Sequence, residues 1–190
     1  MKKVLMIEVS PRGKDSASRV VADSLAARLI HLYPFATLLR RDLAAEQLPH
    51  LDEVTLRAIS TKDLSEAERL KVAAHQSDQL TDELLESDLL VVATPVWNFG
   101  IPSALKGWID LIVRPGRTFQ YSDSGLLGLA KNKKAILIVA SGGVFTEGPW
   151  RPRDLVEPYL RQILGFIGIM DVQTVRIEGM NIPHWQRLPC

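Results

Sequence analysis

Three clusters of side chains in this chain have the types and spacing to hold an anionic, planar ligand. The first, Ser10-Pro11-Arg12-Gly13-Lys14-Asp15-Ser16-Ala17-Ser18-Arg19, follows an apolar run and opens directly into a helical pattern. Hydroxyls and free backbone N–H groups at a helix N-terminus are what a phosphate needs, and the helix dipole adds to the attraction. The plainer alternative is that Asp15 or Ser16 only caps the helix. The second, Thr94-Pro95-Val96-Trp97-Asn98-Phe99-Gly100-Ile101-Pro102, sets two aromatics around an amide between prolines. Such a rigid loop offers backbone polar groups and an apolar wall to a flat heterocycle. Its alternative is Trp97 and Phe99 as core or dimer-interface residues. The third, Ser141-Gly142-Gly143-Val144-Phe145, removes side chains where a ligand must approach the backbone and leaves N–H groups to face electron-rich edges. A turn alone also accounts for it.

A phosphate site, an aromatic clamp and an amide-rich edge together describe flavin mononucleotide, FMN. Other chemistries lack their residues. There is neither G-x-G-x-x-G nor G-x-x-x-x-G-K-[ST], so no dinucleotide clasp or P-loop is expected. His31, His50, His75 and His184 show no metal-ligand spacing, and Ser141 lies outside any G-x-S-x-G elbow. No metal is expected.

Composition narrows the partners. Twenty-three Lys and Arg against 22 Asp and Glu give a net charge of +1, which recommends neither nucleic acid nor an anionic membrane and leaves small molecules. Cys190 is the only cysteine, so a disulfide framework is excluded and a reducing, cytoplasmic setting is expected. Val4-Leu5-Met6-Ile7 is interrupted by Glu8 and reads as a first strand rather than a signal peptide. The apolar stretch around Leu89 to Ala93 stops at Thr94-Pro95, far short of the roughly 20 residues of a membrane span.

These loops need elements to place them on one rim. Val4 to Val9, Asp88 to Ala93 and Ala135 to Ala140 are continuous apolar runs, the pattern of parallel strands buried on both faces. Ala36 to Arg41 and Asp171 to Glu178 are weaker strands. Helical patterns cover Ser18 to Leu32, with Val21, Leu25, Leu29 and Leu32 on one stripe, Ser65 to Ser87, about Pro102 to Arg114 and about Arg153 to Phe166. Leu43 to Lys62, containing Pro49, reads as the irregular connection. The alternation predicts a single α/β domain over residues 1–190, a doubly wound sheet with right-handed crossovers whose ligand crevice lies at the carboxyl ends of the strands.

On these residues the chain resembles the FMN-dependent NADH azoreductase family, from Met1 to about Gly179. The likeness is carried by Ser10 with Ser16-Ala17-Ser18, by Pro95-Val96-Trp97-Asn98-Phe99 with Leu105-Lys106-Gly107-Trp108-Ile109-Asp110, by Thr118-Phe119-Gln120-Tyr121 with Gly125, Gly128 and Leu129, and by Ser141-Gly142-Gly143.

The resemblance implies a flavodoxin-like, five-stranded parallel sheet with helices on both faces. It implies an NAD(P)H:quinone oxidoreductase that also cleaves azo bonds, a homodimer with one FMN per subunit. Two electrons would pass by a ping-pong sequence from NADH or NADPH through the flavin to a quinone or azo acceptor. By position, Ser10, Ser16, Ala17 and Ser18 would hold the phosphate, Val96, Trp97, Asn98 and Phe99 would run along the isoalloxazine, and Ala140, Ser141, Gly142 and Gly143 would border its other polar edge. No side chain is assigned as a catalytic nucleophile. Tyr121 and Phe145 are candidate substrate contacts, with packing as the alternative role of each.

Three departures stand out. Ala140-Ser141 replaces a frequent Ser-Arg, Phe145 replaces a His and predicts a more apolar pocket, and residues 180–190 replace a last amphipathic helix, leaving one sheet face to other cover. A flavodoxin-like electron carrier serving a protein partner is the rival function, although a near-neutral chain lacks the charged docking face that carriers use. A flavin-free binding domain on the same scaffold is a third reading.

Overall fold

Leu5 and Ile7 of the first apolar run face one hydrophobic core while Val4 and Met6 face another. This two-sided burial is what makes the run continuous rather than alternating. The structure, a computed structural model, describes residues 2–123 and 125–182. In chain order the elements are β1 (Lys3–Glu8), α1 (Ala17–Leu32), β2 (Thr37–Asp42), α2 (Glu53–Ser60), α3 (Leu64–Glu86), β3 (Leu89–Pro95), α4 (Ser103–Ile112), β4 (Phe119–Ser122), β5 (Gly125–Gly128), β6 (Lys134–Ala140), α5 (Val156–Ile167) and β7 (Asp171–Ile177).

Five strands form one parallel sheet in the order β2-β1-β3-β6-β7. The order reverses between β1 and β3, so their C-terminal loops flank the switch point where an open α/β sheet takes its ligand. On one face Leu80 and Leu84 of α3, Leu105, Trp108 and Ile109 of α4, and Leu160 and Leu164 of α5 close over Leu5, Ile7, Leu90, Val92, Leu137 and Val139. On the other, Ala22 and Ala26 let α1 lie close against Met6, Val91, Ala93 and Ile138. No helix among the described residues is long and apolar enough to cross a membrane.

The structure corrects the expected layout in two places. Leu43 to Lys62 is not wholly irregular, because Asp52 accepts the Thr55 N–H at 2.7 Å and caps α2, whose Ala58 and Ile59 bury against Ala74 of α3. Leu32 does not share the buried stripe of α1; it is exposed, and the innermost positions are the small residues Ser18, Ala22 and Ala26. Two boundaries also shift. Pro102 is the N-cap of α4, and Arg153 falls in a short 3-10 turn, Gly148–Arg153, ahead of α5.

The hairpin β4-β5 is an addition to the expected layout. Its last residue, Gly128, approaches the backbone so closely that a Cβ there would lie 2.3 Å from the Gly168 nitrogen. From residue 183 onward the atypical C-terminal stretch lies outside the described residues; before that, Met180 and Asn181 turn back onto the loop after β6.

Candidate functional site

Ser10, Ser16 and Ser18 are all buried, at 1%, 3% and 1% exposure, although each carries a hydroxyl. Ser16 is the N-cap of α1; its Oγ accepts the Arg19 N–H at 3.4 Å and sits 3.1 Å from the Ser18 Oγ. Ala17 follows as the first helical residue, where backbone N–H groups have no intrahelical acceptor. The result is a cluster of hydroxyls and amides at the positive end of a 16-residue helix, suited to a dianionic phosphate.

Arg19 fixes this loop from beneath, its Nε donating to the Ser10 carbonyl at 2.8 Å and its Nη2 to Asp42 Oδ1 at 2.5 Å. Glu8 lies below, 3.8 Å from Arg19 and 3.5 Å from Arg40. Burial pushes the Glu8 carboxyl up despite both arginines. Asp42 has the opposite outcome: its partial burial is outweighed by the bonds from Arg19 and the Ala44 N–H, which hold it below the usual carboxylate range.

The second loop is tighter than its prolines suggest. Trp97 and Gly100 exchange backbone bonds at 3.0 and 2.8 Å, so Asn98 and Phe99 are the two corner residues of a hairpin turn, at φ 49° and 65°. Asn tolerates the left-handed region; Phe there costs about 1 kcal/mol or more, strain of the kind found at functional sites. The N–H groups of Asn98 and Phe99 donate to no acceptor among the described residues. The Val96 N–H donates to Ala140 at 2.8 Å, tying the second loop to the third. A cleft of about 300 Å³ opens between the first and second loops, lined by Val9, Pro11, Leu43, Leu48, Trp97 and Pro102.

In the third loop the Ser141 hydroxyl donates to the Gly143 carbonyl at 2.8 Å, so it holds the turn instead of facing outward. The N–H groups of Gly142 and Gly143 have no acceptor among the described residues. A Cβ at Gly142 would meet Asn181 Nδ2 at 2.4 Å, so any larger residue there would have to displace that side chain. Gly179, Met180 and Asn181 donate to the carbonyls of Gly143, Ser141 and Gly142 at 3.1, 3.2 and 3.0 Å, bracing the loop from behind.

Phe145 is 5% exposed, so it acts mainly as a wall. Its ring meets Phe99 edge-on at 6.2 Å and Trp150 edge-on at 5.8 Å, while Phe99 and Trp150 stack at 5.5 Å. Trp150, Arg153, Glu178 and Asn181 were not evident from the sequence; only Trp150 carried a signal, its residue type.

The structure therefore gathers Ser10, Ser16, Ala17 and Ser18 in one loop and Val96, Trp97, Asn98, Phe99, Ala140, Ser141, Gly142, Gly143 and Phe145 in two linked ones. All leave the C-terminal ends of adjacent strands. Tyr121 stands apart. It is 77% exposed, its ring is edge-on to Phe119, and its hairpin is rooted beside Gly168, at the end of the sheet where β6 and β7 begin.

The chain is similar to known proteins over nearly its whole length. The family model described as Flavodoxin-like fold matches residues 2–187. A protein of Beijerinckia indica subsp. indica named FMN-dependent NADH:quinone oxidoreductase is 79% identical over 184 residues, 97% of this chain and 91% of the relative. A protein of Rhizobium johnstonii with the same name is 43% identical, over 95% of this chain and 88% of its own length. Among solved structures, an azoreductase from Bacillus anthracis superposes with a TM-score of 0.86 at 31% identity, covering 95% of this chain and 88% of the other. An FMN-dependent NADH-azoreductase of the same species, in complex with FMN, gives a TM-score of 0.82 at 26% identity, covering 95% of this chain and 89% of the other.

Proposed function

We infer, since this chain belongs to the flavodoxin-like fold family and within it to the FMN-dependent NADH:quinone oxidoreductases, that it transfers two electrons from NADH or NADPH to quinones and reductively cleaves aromatic azo compounds. The observation that carries this reading is the pairing, on one rim, of buried Ser16 and Ser18 hydroxyls at the head of α1 with the unbonded N–H groups of Gly142 and Gly143. The first set suits a terminal phosphate and the second an electron-rich ring edge, at opposite ends of one ligand. FMN supplies the two-electron chemistry when bound.

The chain's own contribution is placement and electrostatics. Ser10, Ser16, Ala17 and Ser18 bind the phosphate group, whose charge the α1 dipole stabilises. Val96 to Phe99 orient the ring system, with the unbonded N–H groups of the left-handed Asn98 and Phe99 as the donors this loop has to offer. Gly142 and Gly143 would offer their unbonded N–H dipoles to an electron-rich edge of the bound group. Phe99 and Phe145 line the open side with hydrocarbon and keep water away. No side chain need act as a nucleophile.

Donor and acceptor use this one apolar opening in turn, which makes the kinetics ping-pong. Tyr121, remote from the loops of its own chain, can touch a substrate only from a second copy, which fits a homodimer. A cytoplasmic setting fits the reducing chemistry. The test is reconstitution with FMN followed by steady-state rates against a quinone and an azo dye at varied NADH. Flavin absorbance, acceptor reduction and parallel double-reciprocal lines are expected. Flavin that binds but is not reduced by NADH would favour the electron-carrier reading, and failure to bind FMN would overturn both.

A further inference from the structure

We propose that Arg153 selects, among the acceptors of this site, planar aromatics that bear an anionic substituent such as a ring sulfonate or carboxylate. The inference rests on the enzymatic reading above and adds a substrate class to it.

The Arg153 guanidinium carbon lies 5.6 Å from the Trp150 ring centroid and 6.0 Å from that of Phe99. Those rings belong to the two loops that flank the proposed flavin edge. Both distances are within cation–π range, so the exposed side chain is held over the aromatic wall instead of sweeping through solvent. Arg153 forms no ion pair among the described residues, and neither does Arg151 in the same 3-10 turn. Three carboxylates near it are committed elsewhere: Asp154 and Glu157 to Arg176, and Glu178 to Arg176, Thr146 and the Phe145 N–H.

A buried or paired arginine stacked on tryptophan is ordinary packing. An unpaired one above the rim of an apolar opening is a planar, weakly hydrated donor fork matched to an oxyanion. A sulfonate or carboxylate borne directly on a ring sits one bond from the ring edge, within reach of a guanidinium one ring-width from the wall. The pyrophosphate of a nicotinamide dinucleotide is separated from its reacting ring by a whole ribose. The geometry thus favours the acceptor over the donor.

The test compares wild type, Arg153→Gln and Arg153→Lys, all loaded with FMN, on a naphthoquinone and its ring-sulfonated analogue. The expected result for Arg153→Gln is a loss of about tenfold in kcat/KM on the sulfonated quinone, carried by KM, with the neutral quinone within about twofold of wild type. Raising the salt to about 0.3 M should lower the wild-type rate on the sulfonated quinone and leave Arg153→Gln unmoved, while Arg153→Lys keeps the salt response. Equal losses on both quinones, a raised KM for NADH instead, or absence of a salt response in wild type would each overturn the proposal. Wild type that reduces neither quinone would overturn the enzymatic reading itself, and this inference with it.

Discussion

Glu178, just past β7, accepts the Phe145 N–H at 2.9 Å through one carboxylate oxygen and the Thr146 hydroxyl at 2.6 Å through the other. Arg176 holds that carboxylate from the far side at 3.3 Å. One side chain at the exit of a sheet strand thus fixes the loop that carries Gly142, Gly143 and the Phe145 wall. Replacing Glu178 with Ala leaves the N–H of a buried residue without its acceptor, at a cost of about 1–3 kcal/mol. Glu178→Gln keeps an oxygen acceptor and should cost less. Urea unfolding and FMN titration are expected to show the order wild type, Gln, Ala in both stability and flavin affinity. Equal behaviour of Gln and Ala would remove the hydrogen bond from the argument.

Ser16 and Ser18 separate two roles that overlap in the first loop. Ser16 caps α1, so Ser16→Ala should cost about 1 kcal/mol of stability as well as flavin affinity. Among the described residues Ser18 makes no capping bond, and its hydroxyl contacts that of Ser16. Ser18→Ala is expected to leave the melting temperature within a few degrees while weakening FMN about tenfold, the worth of one bond to a charged phosphate. A flavin affinity indifferent to both substitutions would place the phosphate elsewhere.

Much of this arrangement was legible in the chain itself. β1, β3 and β6 read clearly because strands covered on both faces need unbroken apolar runs, and their loops had to share a rim once the sheet was parallel. α2 leaves little trace in the sequence although Asp52 is a good cap, because an eight-residue helix buries only Ala58 and Ile59 and shows a faint stripe. The left-handed Phe99 was hidden for a different reason, since local preference argues against Phe there and the Trp97 to Gly100 pairing enforces it. Arg153 meets Phe99, and Glu178 meets Phe145, across tens of positions, and no local pattern encodes such a contact.

Gly128 has a purely steric role. A methyl group there would overlap Gly168 N, Gly168 Cα and Ile167 C at 2.3 to 2.5 Å, all of them backbone atoms that cannot swing aside. Gly128→Ala should therefore cost about 3 kcal/mol or more. It should also detach the hairpin that presents Tyr121, so quinone reduction is expected to fall further than flavin content. A variant with wild-type stability would mean that the hairpin does not dock on α5 in solution.

Two glutamates, Glu8 buried and Glu157 partly buried, should bend the pH dependence of stability in opposite directions. Burial alone would raise the Glu157 carboxyl, but bonds from Thr174, Arg161 and Arg176 outweigh it and lower the group from its ordinary 4.5 to about 2. A lowered folded pKa contributes stability that is present above 4.5 and lost as the pH falls from there toward 2, an effect of about 2 kcal/mol for this partly buried side chain. Glu8 is raised, chiefly by burial, which Arg40 and Arg19 only partly offset. Its contribution is therefore present below 4.5 and lost as the pH rises through its folded value, so the ionised form is a liability at neutrality. Neutralising it strands no cation, because Arg19 keeps Asp42 and Arg40 keeps Asp23. Melting temperatures between pH 7 and pH 3 should show Glu157→Gln below wild type at neutrality and converging with it in acid. Glu8→Gln should equal or exceed wild type at neutrality and converge from above. If the two difference curves slope the same way, the balance between burial and ion pairing assigned to one of these sites is wrong.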